Sequence, residues 1–342
     1  MRAPRTAKRR LLATLGAFAL LLSACADDAP QDALKDLAGS AAKEADGLWD
    51  ITFAIAVVIF FLVEGVLVYT LLKFRQKPGR EASQFHGNTK LEVTLTVIPS
   101  LILAGLAVPT VGMIFDQAER PANALNISVT AKQFWWEYEY PDLGLITANE
   151  MHVPVGQPVY LTLKGVEDDV IHSFWVPKLV GAQDAVPGRE NTLIFTAEEA
   201  GTYLGQCKEF CGLSHANMRL KVIADPSAEF DAWVADQTAP AVGSASAGQE
   251  LFTQNACSGC HAIEGVNSEN NSGPRLGPNL THLASRSTFA GAIFDLNEAN
   301  LLKWVADAPS MKPGVRMPSG TKELGLSQEQ VADIVAYLLT LE

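Results

Sequence analysis

Cys257-Ser258-Gly259-Cys260-His261 places two thiols one helical turn apart, followed directly by an imidazole. Such thiols can add to the two vinyl groups of one porphyrin while the imidazole reaches its iron, so the spacing reads as covalent haem c attachment through Cys257, Cys260 and His261. Fifty residues upstream, Cys207-Lys208-Glu209-Phe210-Cys211 is followed by His215 and Met218, and His172 stands on an earlier apolar run. Two thiolates, two imidazoles and a thioether form a soft ligand set that favours copper over hard ions. Zinc would use the cysteines and histidines and leave Met218 idle. A blue copper site would need one cysteine, so the second argues for two copper ions bridged by both sulfurs. Two such centres on one chain imply that electrons pass through it.

The chain has five cysteines. Two belong to the haem motif and two to the copper cluster. Cys25, in Leu22-Ser23-Ala24-Cys25, looks like a lipidation site, so none is left for a structural disulfide. In an oxidising compartment Cys207 and Cys211 have an ordinary bridge as their alternative.

These residues need elements to hold them. Residues 1–24 carry five basic residues and then an apolar run, the pattern of an export signal. Its removal, with no acidic residue in it, takes the formal net charge from −12 to −17. That acidity speaks against nucleic acid as a partner and suits a soluble face that meets basic proteins. Residues 25–47 read as an external segment. The apolar stretches 48–72 and 91–115 are each long enough to cross about 30 Å of hydrocarbon. Lys73, Arg75, Lys77, Arg80 and Lys90 between them put the connecting loop in the cytoplasm and both ends of the mature chain outside. Short β-rich runs at 126–130, 133–140, 158–164, 170–176, 192–196, 202–206 and 219–223 predict an all-β domain over 121–235. The Pro, Ala, Gly and Ser of 238–248 predict a flexible linker, about eleven residues with a coil span of roughly 17–20 Å, within a domain boundary taken as 236–248. Residues 249–342 read as small and helical, with a last helix over 327–341.

Taken together, two membrane helices, a β domain with Cys-x-Glu-x-Cys-Gly-x-x-His-x-x-Met and a C-terminal Cys-x-x-Cys-His resemble subunit II of the haem-copper cytochrome c oxidases. The resemblance is to the bacterial kind with a fused cytochrome c. It implies a multi-domain membrane protein: a transmembrane hairpin, a cupredoxin-like Greek-key barrel and an all-α cytochrome c domain. It also implies a binuclear CuA centre, with Cys207 and Cys211 bridging, His172 and His215 terminal, Met218 a weak ligand and the Glu209 carbonyl another. The Glu209 side chain would bind magnesium at the interface with subunit I. The implied partners are subunit I, subunit III and an upstream donor such as a cytochrome complex. The implied place is the bacterial cell membrane, with both redox domains on the external side and oxygen reduction and proton pumping in subunit I. Phe134, in Gln133-Phe134-Trp135-Trp136-Glu137-Tyr138, stands where many members have the tryptophan that receives electrons from soluble cytochrome c. A tethered haem, at high effective concentration, offers a reason for the change; the other reading is that these aromatics fill the barrel.

Two methionines compete for the distal haem position. Met317 is favoured over Met311, because Gly314-Val315-Arg316-Met317-Pro318 resembles the ligand loop of related cytochromes. Gly277-Pro278-Asn279-Leu280 resembles the segment whose proline carbonyl orients the proximal histidine. His152 and His282 have no motif and are taken as surface or structural residues. Glu92, opening the second membrane stretch, resembles the carboxylate at the mouth of a proton channel into subunit I; otherwise it is a helix-start acid favoured by the dipole. Glu64 lies within the first span and receives no catalytic role. The rival functions are a CuA-bearing nitric oxide reductase subunit and a free-standing membrane-anchored electron carrier or copper-delivery protein. The soluble CuA enzymes of nitrous oxide reduction are disfavoured by the two membrane helices.

Overall fold

A computed structural model describes residues 36–79, 81, 84, 86–241, 243, 246–267 and 276–342. The export signal, Cys25 and Arg80 lie outside the described residues. Helices α1 (Ser40–Lys73) and α2 (Thr89–Asp116) are the two apolar stretches, and no other described part of the chain covers them. Pro99 and Pro109 are accommodated inside α2, as a membrane helix allows.

Helix α1 begins eight residues before the apolar stretch does. Its 34 residues span about 51 Å at ~1.5 Å each, well beyond the ~30 Å of hydrocarbon. The excess is fastened to the β domain. The amides of Ala38 and Gly39 donate to the Lys178 carbonyl at 2.9 and 3.0 Å, Ser40 Oγ accepts from the Thr196 amide, and Ala41 and Ala42 are buried. The segment expected to be merely external is thus the root of the first membrane helix.

The β domain is a sandwich of two five-stranded sheets. One sheet runs in the order β3 (Leu145–Ala148), β2 (Trp135–Tyr140), β1 (Leu125–Lys132), β5 (Pro158–Gly165) and β8 (Glu190–Thr196). The other runs β4 (Glu150–Pro154), β10 (Arg219–Asp225), β9 (Gly201–Cys207), β6 (His172–Val176) and β7 (Val180–Ala185). The alternation of Val159, Leu161 and Leu163 in β5 turns every second side chain inward, as the two-residue strand period requires. Trp136, Tyr138, Tyr140, Phe174 and Phe195 fill the space between the sheets. Most aromatics of 133–140 therefore do fill the domain, and Phe134 is buried as well.

Helix α3 (Ser227–Thr238) continues through the first residues of the expected linker, and α4 (Ala247–Gln254) starts before its end. Between them, Ala241 packs on the haem-domain core and the backbone of Gly243 lies against Tyr337 and Leu341. The described part of the tether is laid along the last helix, because its small apolar residues find a surface to cover. The C-terminal domain then comprises the single turn α5 (Cys257–Cys260), a two-residue hairpin of β11 (Thr288–Phe289) and β12 (Phe294–Asp295), α6 (Glu298–Met311) and α7 (Gln328–Leu338). Ser327 and Gln330 close a capping box at the start of α7. The small hairpin is the departure from an all-α domain.

Candidate metal centres

The copper candidates meet at one end of the sandwich. Cys207 ends β9, His172 opens the neighbouring strand β6, and the loop 208–218 returns the chain to β10 through a 3₁₀ turn at His215–Asn217. The two sulfurs lie 3.9 Å apart. Cys207 Sγ is 3.9 Å from His172 Nδ1 and 3.2 Å from the Glu209 carbonyl oxygen. Cys211 Sγ is 3.6 Å from His215 Nδ1 and 3.9 Å from Met218 Sδ. All six expected donors therefore converge on the sulfur pair. His172, Cys207, Cys211 and Met218 are buried, so the donor atoms are withdrawn from water.

The donor set fits soft metal ions. Both cysteines are free thiols, and their separation far exceeds the ~2.05 Å of a disulfide. The hydrogen bond from Cys211 and, against the cost of burial, that from His172 hold the Cys207 thiol far below its usual range. Its partner Cys211 is pushed up by the same contact and by burial, as expected of two neighbouring thiols whose titrations are coupled. The ring of His172 is braced from behind by Asp169, whose carboxylate stands 3.7 Å from Nε2, an ion-pair distance beyond hydrogen-bond length. Gln133 joins this bracing, since its amide nitrogen donates to the Cys211 carbonyl and its backbone amide donates to Asp169. Such partners fix the orientation of ligands. Asp169 lies three residues before His172 in the chain, but neither it nor Gln133 carries a sequence signal for this role.

The haem candidates surround a cavity lined by Cys257, Cys260, His261, Leu280, Trp304 and Met317. Met311 is not part of its wall. Nδ1 of His261 donates to the Pro278 carbonyl at 2.8 Å, which leaves Nε2 as the free ligand atom. Burial pushes the His261 imidazole below its usual range, favouring the neutral ring that binds iron. Gly277 is required here, because a Cβ on it would stand 2.5 Å from the His261 ring. Arg286 also lines the cavity, its Nε buried without a hydrogen-bond partner, and burial pushes it down to about 10. An apolar cleft with two thiols, a directed imidazole, a thioether and basic side chains in its wall suits a porphyrin bearing carboxylates.

His152 and His282 lie away from the donor clusters described above. His152 Nδ1 is 2.7 Å from Asp225 and its ring stacks on Trp233. His282 is buried, which corrects the surface option for it. Glu92 sits in the first turn of α2, where it accepts a 3.3 Å hydrogen bond from the Asn88 amide while Asn88 Oδ1 accepts from Leu91. That is a helix-start role. Glu64 is exposed on α1 and Glu209 is exposed beside the copper loop.

The two centres are neighbours. Phe134 of the copper domain also lines the haem cavity. A Cβ built on Gly212, next to Cys211, would lie 3.2 Å from its ring, and one built on Gly314, in the Met317 loop, would lie 3.4 Å from it. The ring thus fills the space between the copper loop and the haem loop.

Comparison with known proteins agrees along the whole chain. Residues 29–113 match the family described as cytochrome c oxidase subunit II, transmembrane domain, and residues 143–224 match its periplasmic domain. Residues 245–342 match the cytochrome c family. The cytochrome c oxidase subunit 2 of Alkalihalophilus pseudofirmus is 36% identical over 350 residues, covering 99% of this chain and 98% of that protein. Its Bacillus subtilis counterpart is 34% identical over 355 residues, covering 97% and 98%. The solved periplasmic domain of cytochrome oxidase subunit II from Bradyrhizobium japonicum is 34% identical, covers 34% of this chain and 95% of that one, and has a TM-score of 0.33.

Proposed function

The chain belongs to the cytochrome c oxidase subunit II family, in the form that carries a fused cytochrome c domain, and from that premise we propose that it is the electron-input subunit of its haem-copper oxidase. Membership implies copper and haem c. In this reading Cys207 and Cys211 would hold a pair of copper ions together with His172, His215, Met218 and the Glu209 carbonyl. Cys257 and Cys260 would hold the haem covalently, and His261 and Met317 would be its iron ligands. The bound groups supply reversible one-electron chemistry. The residues of this chain bury them, orient the imidazoles through Asp169 and Pro278, and set Phe134 between them.

The observation that carries the reading is the convergence of two soft-donor centres on one aromatic ring. Electrons then leave the copper loop for haem in subunit I, where oxygen is reduced and protons are pumped. Phe210, Leu213, Val170 and Ile171 are exposed around the copper loop, an apolar face suited to burial against that subunit. Glu209 would hold magnesium there. With the basic loop after α1 in the cytoplasm, both redox domains stand outside the cell membrane, open to an upstream donor such as a cytochrome complex, and subunit III completes the assembly. Glu92, at the opposite end of α2 from the β domain, marks a proton route into subunit I. Replacing it as Glu92→Gln should slow turnover and leave haem-to-copper transfer unchanged; unaltered turnover would leave it only the helix-start role.

Metal analysis of the purified complex tests the centre itself. Two copper ions should be found on this subunit, with a mixed-valence electron paramagnetic resonance spectrum in the oxidised protein. One ion with a four-line blue-copper signal would exclude the binuclear reading.

A further inference from the structure

Two buried ionisable side chains, one from each domain, cross the junction between the copper and haem domains in opposite directions. Lys312, at the end of α6, is 1% exposed. Its Nζ donates to the Phe134 carbonyl of the copper domain and to the Ala290 carbonyl of its own domain, both at 2.7 Å. Gly291 makes room for it, since a Cβ there would stand 2.6 Å from Nζ and its φ of +81° is itself one that favours glycine. Glu150, at the start of β4, is 3% exposed. Its carboxylate accepts from the amides of Ser287 and Thr288 at 3.0 and 2.8 Å and from both their hydroxyls. Those four donors all belong to the haem domain. Lys221 of β10 stands 3.8 Å away and itself donates to Ser287 Oγ.

We propose that Lys312 and Glu150 are positioning residues that latch the haem domain onto the copper domain in one orientation, with Phe134 held between the two centres. The proposal rests on the electron-transfer reading above and deepens it. A single contact would leave the domains free to pivot. Two contacts at separate points of the junction, Lys312 on the Phe134 carbonyl and Glu150 on Ser287 and Thr288, fix rotation as well as distance. Neutral contacts line the ground between them: the Arg219 amide donates to the Gly291 carbonyl at 3.1 Å, Ser214 Oγ donates to the Pro313 carbonyl at 2.6 Å, and Val315 packs on the copper-domain core. A buried polar side chain that is hydrogen-bonded is compatible with the docked state, whereas truncating it leaves the carbonyls or amides it served without their partner. The linker therefore serves mainly to join the domains, and the latch, rather than repeated encounter at the end of a coil, sets the geometry of transfer.

The test uses the assembled oxidase with the full chain. Haem c is reduced by a flash from a photosensitiser, and its reoxidation by the copper centre is followed with and without added glycerol. Amide exchange at Arg219 and Thr288 is measured in parallel. The unmodified complex should show one fast phase that ignores viscosity. Lys312→Met and Glu150→Ala should each retain covalent haem and both copper ions, and lower the docked-to-undocked ratio by roughly 30-fold, the order of the cost of leaving buried hydrogen-bonding groups without their partner. A slower, viscosity-dependent phase should appear, and the Arg219 amide should exchange faster by a similar factor. Lys312→Gln, which keeps a donor for one carbonyl, should restore part of the fast phase. The latch is refuted if both truncations leave a single viscosity-independent phase and unchanged Arg219 exchange, or if transfer in the unmodified complex already slows with viscosity. A complex that lacks the copper centre, or in which haem never reduces it, would overturn the electron-transfer reading instead, while amide exchange would still report the docking.

Discussion

The copper loop and the haem cleft solve the same problem, holding a redox group away from water, with opposite architectures. Five of the six proposed copper donors come from the twelve residues 207–218, and a neighbouring strand adds His172. The adjacent strands β9 and β10 hold the two ends of this loop, and Gln133 ties it to Asp169 beside His172. The haem cleft is assembled from turns, short helices and one two-residue hairpin, with wall residues scattered from Phe134 to Leu338. A small ion needs a few exact donors on stiff strands. A broad porphyrin needs a large apolar surface, and covalent attachment lets the surrounding structure be lighter. The copper site should therefore respond to single changes in its ligands, and the haem site chiefly to loss of its covalent anchors.

The largest effect should come from removing those anchors. Cys257→Ser with Cys260→Ser should abolish haem attachment and lower turnover with the natural donor by roughly 100-fold or more, the low end of what tethering contributes, with the copper spectrum intact. Phe134→Trp in that haemless protein should recover part of the turnover when soluble cytochrome c is added. Full turnover in the haemless protein would show that the copper centre accepts electrons directly and that the comparison has the haem domain in the wrong place.

A smaller effect separates the two methionines. Met317→Ala should keep the haem bound but lose the methionine–iron absorption band and lower the potential, because methionine–histidine ligation raises it. Met311→Ala, outside the cavity wall, should keep both. An exchange of these outcomes would reassign the distal ligand. The smallest effect belongs to Met218→Leu, which should retain two copper ions and alter only their potential, since a weak ligand tunes more than it holds. Loss of copper would show that the thioether is needed to hold the ions and that the strands alone do not suffice.

The sequence revealed what is local and hid what is paired at a distance. Cys207 to Met218 and Cys257 to His261 could be read because spacing along the chain encodes their chemistry. His172, 35 residues from Cys207, was found because it stands on its own apolar run beside Asp169. Strands β3, β4 and β7 were missed, being short or broken by polar residues such as Asn149 and Gln183. Glu150 and Ser287 are separated by 137 residues and Lys312 and Phe134 by 178. No periodicity or motif joins such positions. A glutamate opening a strand and a lysine before Pro313 look like ordinary surface residues until the domains meet. The linker was read from composition as a coil, yet Ala241 and Gly243 lie on the haem domain because small residues pack as readily as they bend.

Helix α1 runs unbroken from its root on the β domain to the far side of the apolar stretch, and so acts as a keyed shaft. It sets both the height of the copper loop above the bilayer and the compass bearing on which that loop faces its neighbours. One residue inserted between the root and the membrane would raise the domain by ~1.5 Å but swing it through about 100°. Seven residues, almost two full turns, would lift it by about 10 Å and return it to within about 20° of its first bearing.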